Sequence, residues 1–205
     1  MIEIYDNLLQ IAVLLFCINA AGFRAVRFRS RSWSILGFFF GSWMLGDLYW
    51  LACLVFYKTT PQISVISDLN WYASFLFLYL LLRHVSPPEK LQRSSPLSWL
   101  GPVFAAGMAV FFMFWGEIIS NLIYAGLMGL LLFSVIRRLA DKRHTSRQHF
   151  LLVLLLAFCL LEYSLWTASC FWNEEVALHP YYLFDLLVTL SFLLYLPAVK
   201  KAVTE

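Results

Sequence analysis

The sequence predicts an all-α polytopic membrane protein, a single seven-helix transmembrane bundle over residues 1–205 with no soluble domain. Three observations carry this. Hydrophobic residues make up 61% of the chain and charged residues 13%, against about a quarter charged in a soluble domain. The apolar residues come in blocks of roughly 20, the length a helix needs to cross about 30 Å of hydrocarbon. The Lys and Arg residues fall almost entirely into alternate connections.

The spans follow in order. The first, about 6–23, comes after the acidic "MIEIYDN", which lacks the basic start of a cleaved signal peptide. "RAVRFRSRS" leads to the second, 32–57, which contains "GFFFG" (Gly37 to Gly41), a spacing that permits close helix approach. "KTTPQ" precedes the third, 62–83. The proline-bearing "HVSPPEKLQRSS" ends it, because proline cannot continue a helix. The fourth, 96–115, and the fifth, 117–136, are separated by "GE". "RRLADKRHTSRQ" precedes the sixth, 149–172, and "NEEVALH" the seventh, 179–199. No connection is long enough to be a domain.

Orientation follows from the basic residues. Arg24, Arg27, Arg29 and Arg31 share one side with Arg83, Lys90 and Arg93 of the third loop. Arg137, Arg138, Lys142, Arg143 and Arg147 of the fifth loop join them, with Lys200 and Lys201 of the tail. These are all but Lys58 of the 15 Lys and Arg residues. The expected arrangement is a multi-pass protein of the plasma (inner) membrane, N-terminus outside and C-terminus cytoplasmic. The basic loops read as segments meeting an anionic leaflet rather than as a nucleic-acid surface.

Four acids lie inside spans: Asp47, Asp68, Glu162 and Asp185. On this topology all four fall in the outer half of the bilayer, and no Lys or Arg shares their depth. An aromatic residue accompanies each at helical spacing, placing Asp47 with Trp50, Asp68 with Trp71, Glu162 with Trp166 and Tyr181 with Asp185 on common helix faces. Carboxylates are costly against lipid, so these faces turn inward. The economical arrangement is one outward-opening pocket, walled by the second, third, sixth and seventh spans. Its carboxylates and ring faces both attract a cation. A competing explanation makes the aromatics interfacial belt residues and the acids hydrogen-bonded glue between helices.

The third and seventh spans resemble each other from their Asp residues, "DLNWYASFLFLYL" against "DLLVTLSFLLYLP". The second and sixth match more loosely. This pattern reads as a 3+1+3 repeat, an organisation known among transporters.

Several chemistries lack their signatures. The histidines His84, His144, His149 and His179 form no cluster with metal-ligand spacing. There is no HExxH, GxSxG or phosphate-binding glycine loop. The seventh span has no lysine for a retinal Schiff base. Cys17, Cys53, Cys159 and Cys170 lie within spans and read as small packing residues. No cofactor, metal or catalytic residue is expected.

The stretches "FFGSWMLGDLYWLACLVFY" and "ISDLNWYASFLFLYLLL" resemble the membrane portion of a loosely defined group of bacterial seven-helix proteins. Some members are sensory modules fused to kinase or cyclase domains. The resemblance implies a sensing role. Because this sequence ends at "KKAVTE", that role would need a separate partner, met at Arg137, Arg138, Lys142, Arg143 and Arg147. The expectation is a non-enzymatic, receptor-like module binding a cationic or amine-bearing small molecule. The alternatives are a small proton- or cation-coupled transporter and an intramembrane aspartate-dependent lipid hydrolase.

Overall fold

The computed structural model describes residues 2–61, 65–87, 95–115, 117–141, 146–171 and 179–203. Seven α-helices follow one another: α1 (Ile2–Phe28), α2 (Arg31–Ala52), α3 (Val65–Val85), α4 (Leu100–Phe112), α5 (Ile118–Ala140), α6 (Ser146–Cys170) and α7 (Pro180–Val203). A π-helical segment, Cys53–Tyr57, extends α2, and a 3-10 turn, Pro96–Trp99, leads into α4. There is no strand among the described residues. Among the described residues, six helices are long and apolar enough to cross a membrane, which is the architecture of a multi-pass helical membrane protein. The outward faces agree with it. Phe16, Phe23, Phe38, Val103 and Ile119 are 60–73% exposed, a surface suited to lipid rather than water.

The fourth apolar helix is the short one. With its 3-10 lead-in it covers Pro96–Phe112, about 27 Å at the usual rises. The sequence suggested a span continuing to 115. Instead the helix ends at Phe112 and the chain turns over Met113–Trp115. Asn121 of α5 donates from Nδ2 to the Phe112 carbonyl at 2.8 Å. The same carbonyl also accepts from Trp115 N–H at 3.0 Å, so this helix end is satisfied twice.

Other ends are set locally. α1 stops in a Schellman-type turn, where Ser30 N–H donates to Ala25 O and Arg29 N–H to Val26 O. Arg29 takes the left-handed conformation, φ 48°, at the position glycine usually fills. Ser95 Oγ accepts from Leu97 N–H and caps the lead-in to α4. At the start of α7, His179 Nδ1 accepts from Tyr181 N–H at 3.2 Å. Its Nε2 then carries the proton and donates to Phe171 O at 3.1 Å, tying the end of α6 to the start of α7.

The chain forms two compact units, Met1–Leu78 and Tyr79–Glu205, with the boundary inside α3. In the first, α1 packs on α2, and Gly37 lies against Ala21. Trp43 of α2 meets Phe75 of α3 edge-on at 5.8 Å. Ser74 Oγ donates to the Phe39 carbonyl across the same contact. In the second unit, α4 packs on α5 and α6 on α7. Gly101 lets α4 touch the α5 backbone, since a Cβ there would lie 2.9 Å from the Leu132 carbonyl carbon. Phe158, Phe192 and Tyr195 are fully buried between α6 and α7. The four cysteines are free thiols.

Candidate functional site

The first unit gathers three of the candidate residues. Asp47 sits in the last third of α2 and is 3% exposed. Trp71 of α3 donates from Nε1 to its Oδ1 at 3.3 Å. The other carboxyl oxygen, Oδ2, is buried with no hydrogen-bond partner among the described residues. Trp50, one turn after Asp47, packs its ring against Trp71, with centroids 6.0 Å apart and planes at 38°. Its own Nε1 donates to Glu3 Oε1 of α1 at 3.0 Å. Asp6 of α1 is close enough to repel Asp47 electrostatically. Two indole N–H groups thus meet two carboxyl groups contributed by two helices.

This pairing differs from the one the spacing suggested. Asp47 and Trp50 share a helix face, but the indole bonded to Asp47 comes from the neighbouring helix. Trp50 reaches the other way, to α1. The reason is Gly46. A Cβ at that position would lie 2.7 Å from Trp71 Nε1 and 3.0 Å from its Cδ1, so only glycine leaves room for the ring beside Asp47. Sequence reading missed Gly46, Glu3 and Asp6. A signal existed for the last two: Glu3, Asp6 and Gln10 follow the i, i+3, i+7 pattern of one helix face. Asp68, one turn before Trp71 on α3, is also buried and has an interaction of its own.

The second unit holds the other candidates in a different setting. Glu162 of α6 and Asp185 of α7 are 2% and 7% exposed, and both interact with neighbours. Trp166 stacks on Tyr124 of α5, centroids 4.6 Å apart and planes at 17°. Phe112 meets it edge-on. Tyr181 packs edge-on against Tyr182. A cavity of about 620 Å³ opens in this unit between α4, α6 and the start of α7. Its walls include Phe104, Met108, Tyr163, Thr167, Phe171 and His179, and none of Glu162, Trp166, Tyr181 and Asp185 lines it.

In the last turn of α5, Arg138 is 2% exposed. Its Nε and Nη2 donate to Ser86 O at 3.0 and 2.7 Å, and its Nη1 donates to Ser134 O at 2.8 Å. Gln148 Nε2 adds a bond to Val85 O at 2.9 Å. Of the five residues expected to meet a cytoplasmic partner, Arg138 is therefore turned inward, with its donors on Ser86 O, just past the end of α3, and on Ser134 O of its own helix. Lys142 and Arg143 lie outside the described residues. No group of three or more metal-ligating side chains occurs among the described residues.

No protein-family model matches the chain, and no curated protein or solved structure matches it.

Proposed function

We propose that the chain is a receptor-like binding module of the plasma membrane that holds a cationic or amine-bearing small molecule at the Asp47–Trp71 pair. One observation carries the reading. Asp47 is buried in an apolar helix with one oxygen bonded to an indole and the other, Oδ2, without a hydrogen-bond partner among the described residues. A buried acceptor left open costs about 1–3 kcal/mol, and an N–H from a bound ammonium removes that cost. The ring faces of Trp50 and Trp71 add quadrupolar attraction for a cation. Glu3 and Asp6 of α1 add negative charge.

In this reading the bundle has seven spans, with Pro96–Phe112 crossing as the short one, the N-terminus outside and the acids in the outer half. A 3+1+3 repeat is supported by burial along the two matched helices. Asp68, Tyr72, Ser74, Phe75 and Leu78 are buried, and so are Asp185, Thr189, Ser191, Phe192 and Tyr195 at the corresponding positions. Glu162, Trp166, Tyr181 and Asp185 then form the counterpart acid–aromatic row of the second half.

The experiment is calorimetric titration of the purified protein in detergent with n-butylammonium, using n-butanol as the uncharged control and tryptophan emission as a second readout. Butylammonium should bind, butanol should not, and Asp47→Asn should remove binding while the helical circular dichroism stays intact. Equal binding to wild type and Asp47→Asn would overturn the proposal.

A further inference from the structure

The ends of α3 and α5 carry a group of three arginines. Arg83 lies in the last turn of α3, and Arg137 and Arg138 lie in the last turn of α5. The hydrogen bonds from Arg138 to Ser86 O bring these two helix ends together. Arg83 and Arg137 are both close enough to Arg138 to repel it. Arg83 is exposed, with its guanidinium 5.9 Å from the Tyr79 ring centroid. Arg137 is half-buried, and its Nε is buried without an acceptor among the described residues. Asp141, the C-cap of α5, is the nearest acid in sequence and has an interaction of its own.

The division of labour among the three arginines is informative. Arg138 is consumed by carbonyl oxygens, which absorb its hydrogen bonds but bring no formal negative charge. Two further guanidiniums are among the charged groups that act on it. An open Nε–H on Arg137 requires an acceptor, and three cations at one place favour an anionic one. The planar guanidinium fork matches the oxygens of a phosphate better than any other common anion except carboxylate. At the end of an apolar helix, phosphates are what a membrane supplies.

We propose that Arg83 and Arg137, organised around the internally bonded Arg138, bind a phosphate group. Arg138 is the positioning residue: it fixes the two helix ends and adds charge without touching the ligand. The phosphate comes either from an anionic lipid headgroup or from solution, and the two sources are separable.

The test uses the full chain in nanodiscs of phosphatidylcholine containing phosphatidylglycerol, with retained lipid counted by native mass spectrometry. Each basic residue near an anionic headgroup contributes about fivefold in affinity. Arg83→Gln combined with Arg137→Gln should therefore weaken phosphatidylglycerol retention about thirtyfold. Arg27→Gln, on α1, should leave it unchanged. Arg138 stays in place so that the helix ends remain joined. Should the double variant fail to fold, hydrogen exchange on the wild type decides the matter: phosphatidylglycerol or inorganic phosphate should slow exchange over residues 134–141. Protection by the lipid alone assigns the headgroup, and protection by inorganic phosphate in pure phosphatidylcholine assigns a soluble phosphate. Protection by neither overturns the proposal. So does a double variant that retains the lipid like wild type, or an Arg27→Gln variant weakened to the same degree.

Discussion

Replacing Gly46 with Ala isolates the contact on which the acid–indole site depends. The added Cβ would stand 2.7 Å from Trp71 Nε1. Ordinary van der Waals contact begins near 3.4 Å, so the indole must retreat by about 0.7 Å or α2 must shift. The indole is a rigid ring on two rotatable bonds and cannot fold away. Its hydrogen bond to Asp47 is already long at 3.3 Å, and a retreat of that size takes it out of range. Overpacking costs about 1–3 kcal/mol, and a lost interhelical hydrogen bond in a membrane adds about 0.6 kcal/mol. Against these stands the gain of Ala over Gly in a helix, about 1 kcal/mol. The clash wins, with a net loss of about 2 kcal/mol. Gly41, on the same helix, has no atom within 4 Å of its Cβ position, so Gly41→Ala keeps the gain and stabilises. The assay is unfolding in mixed micelles with increasing dodecyl sulfate, followed by helical circular dichroism. A double-mutant cycle with Trp71→Leu completes it, because without the ring Gly46→Ala should become as harmless as Gly41→Ala. If Gly46→Ala matches Gly41→Ala in the wild-type background, or if Trp71→Leu fails to rescue it, the steric argument is refuted.

Other outcomes follow from single contacts. Arg138→Met removes three hydrogen bonds and leaves the Ser86 carbonyl buried, so unfolding should come about 3 kcal/mol sooner. Arg138→Lys should rescue little of this, since an ammonium lacks the fork that spans Ser86 O and Ser134 O, and the same micelle titration reads both variants. Trp50→Phe should keep the fold but release Glu3, which hydrogen exchange would report as faster exchange over residues 2–7 with a stability loss under about 1 kcal/mol. Gly101→Ala should cost more than Gly107→Ala, about 2 kcal/mol against a slight gain. The former meets the α5 backbone while the latter points into open space, and thermal unfolding in detergent compares them. His179→Ala should cost about 1 kcal/mol by uncapping α7 and loosening the tie to Phe171, seen as faster exchange in the first turn of α7.

Much of the molecule is legible without coordinates because the bilayer imposes its demands on every span separately. Helix number and type come from unbroken apolar length, since lipid offers no partner for an open backbone group. The burial of Asp47, Asp68, Glu162 and Asp185 follows from the same constraint applied to charge. Helix ends were less visible. The early stop of α4 comes in a turn closed by Trp115 N–H on Phe112 O and joined by Asn121 from nine residues on, and the reach of α1 to Ile2 brings in a Glu3 that hydropathy treats as a polar tail. The identity of each acid's partner was beyond one-dimensional reading. Spacing along a helix tells which side chains share a face, but not which neighbouring helix that face meets. Asp47 pairs with Trp71 rather than with its own Trp50 because a missing Cβ at Gly46 opens room for a ring from α3. Arg138 belongs to the interior rather than to the basic surface because the Ser86 carbonyl, just past the end of α3, lies within its reach. Both outcomes depend on distances between helices that periodicity does not encode.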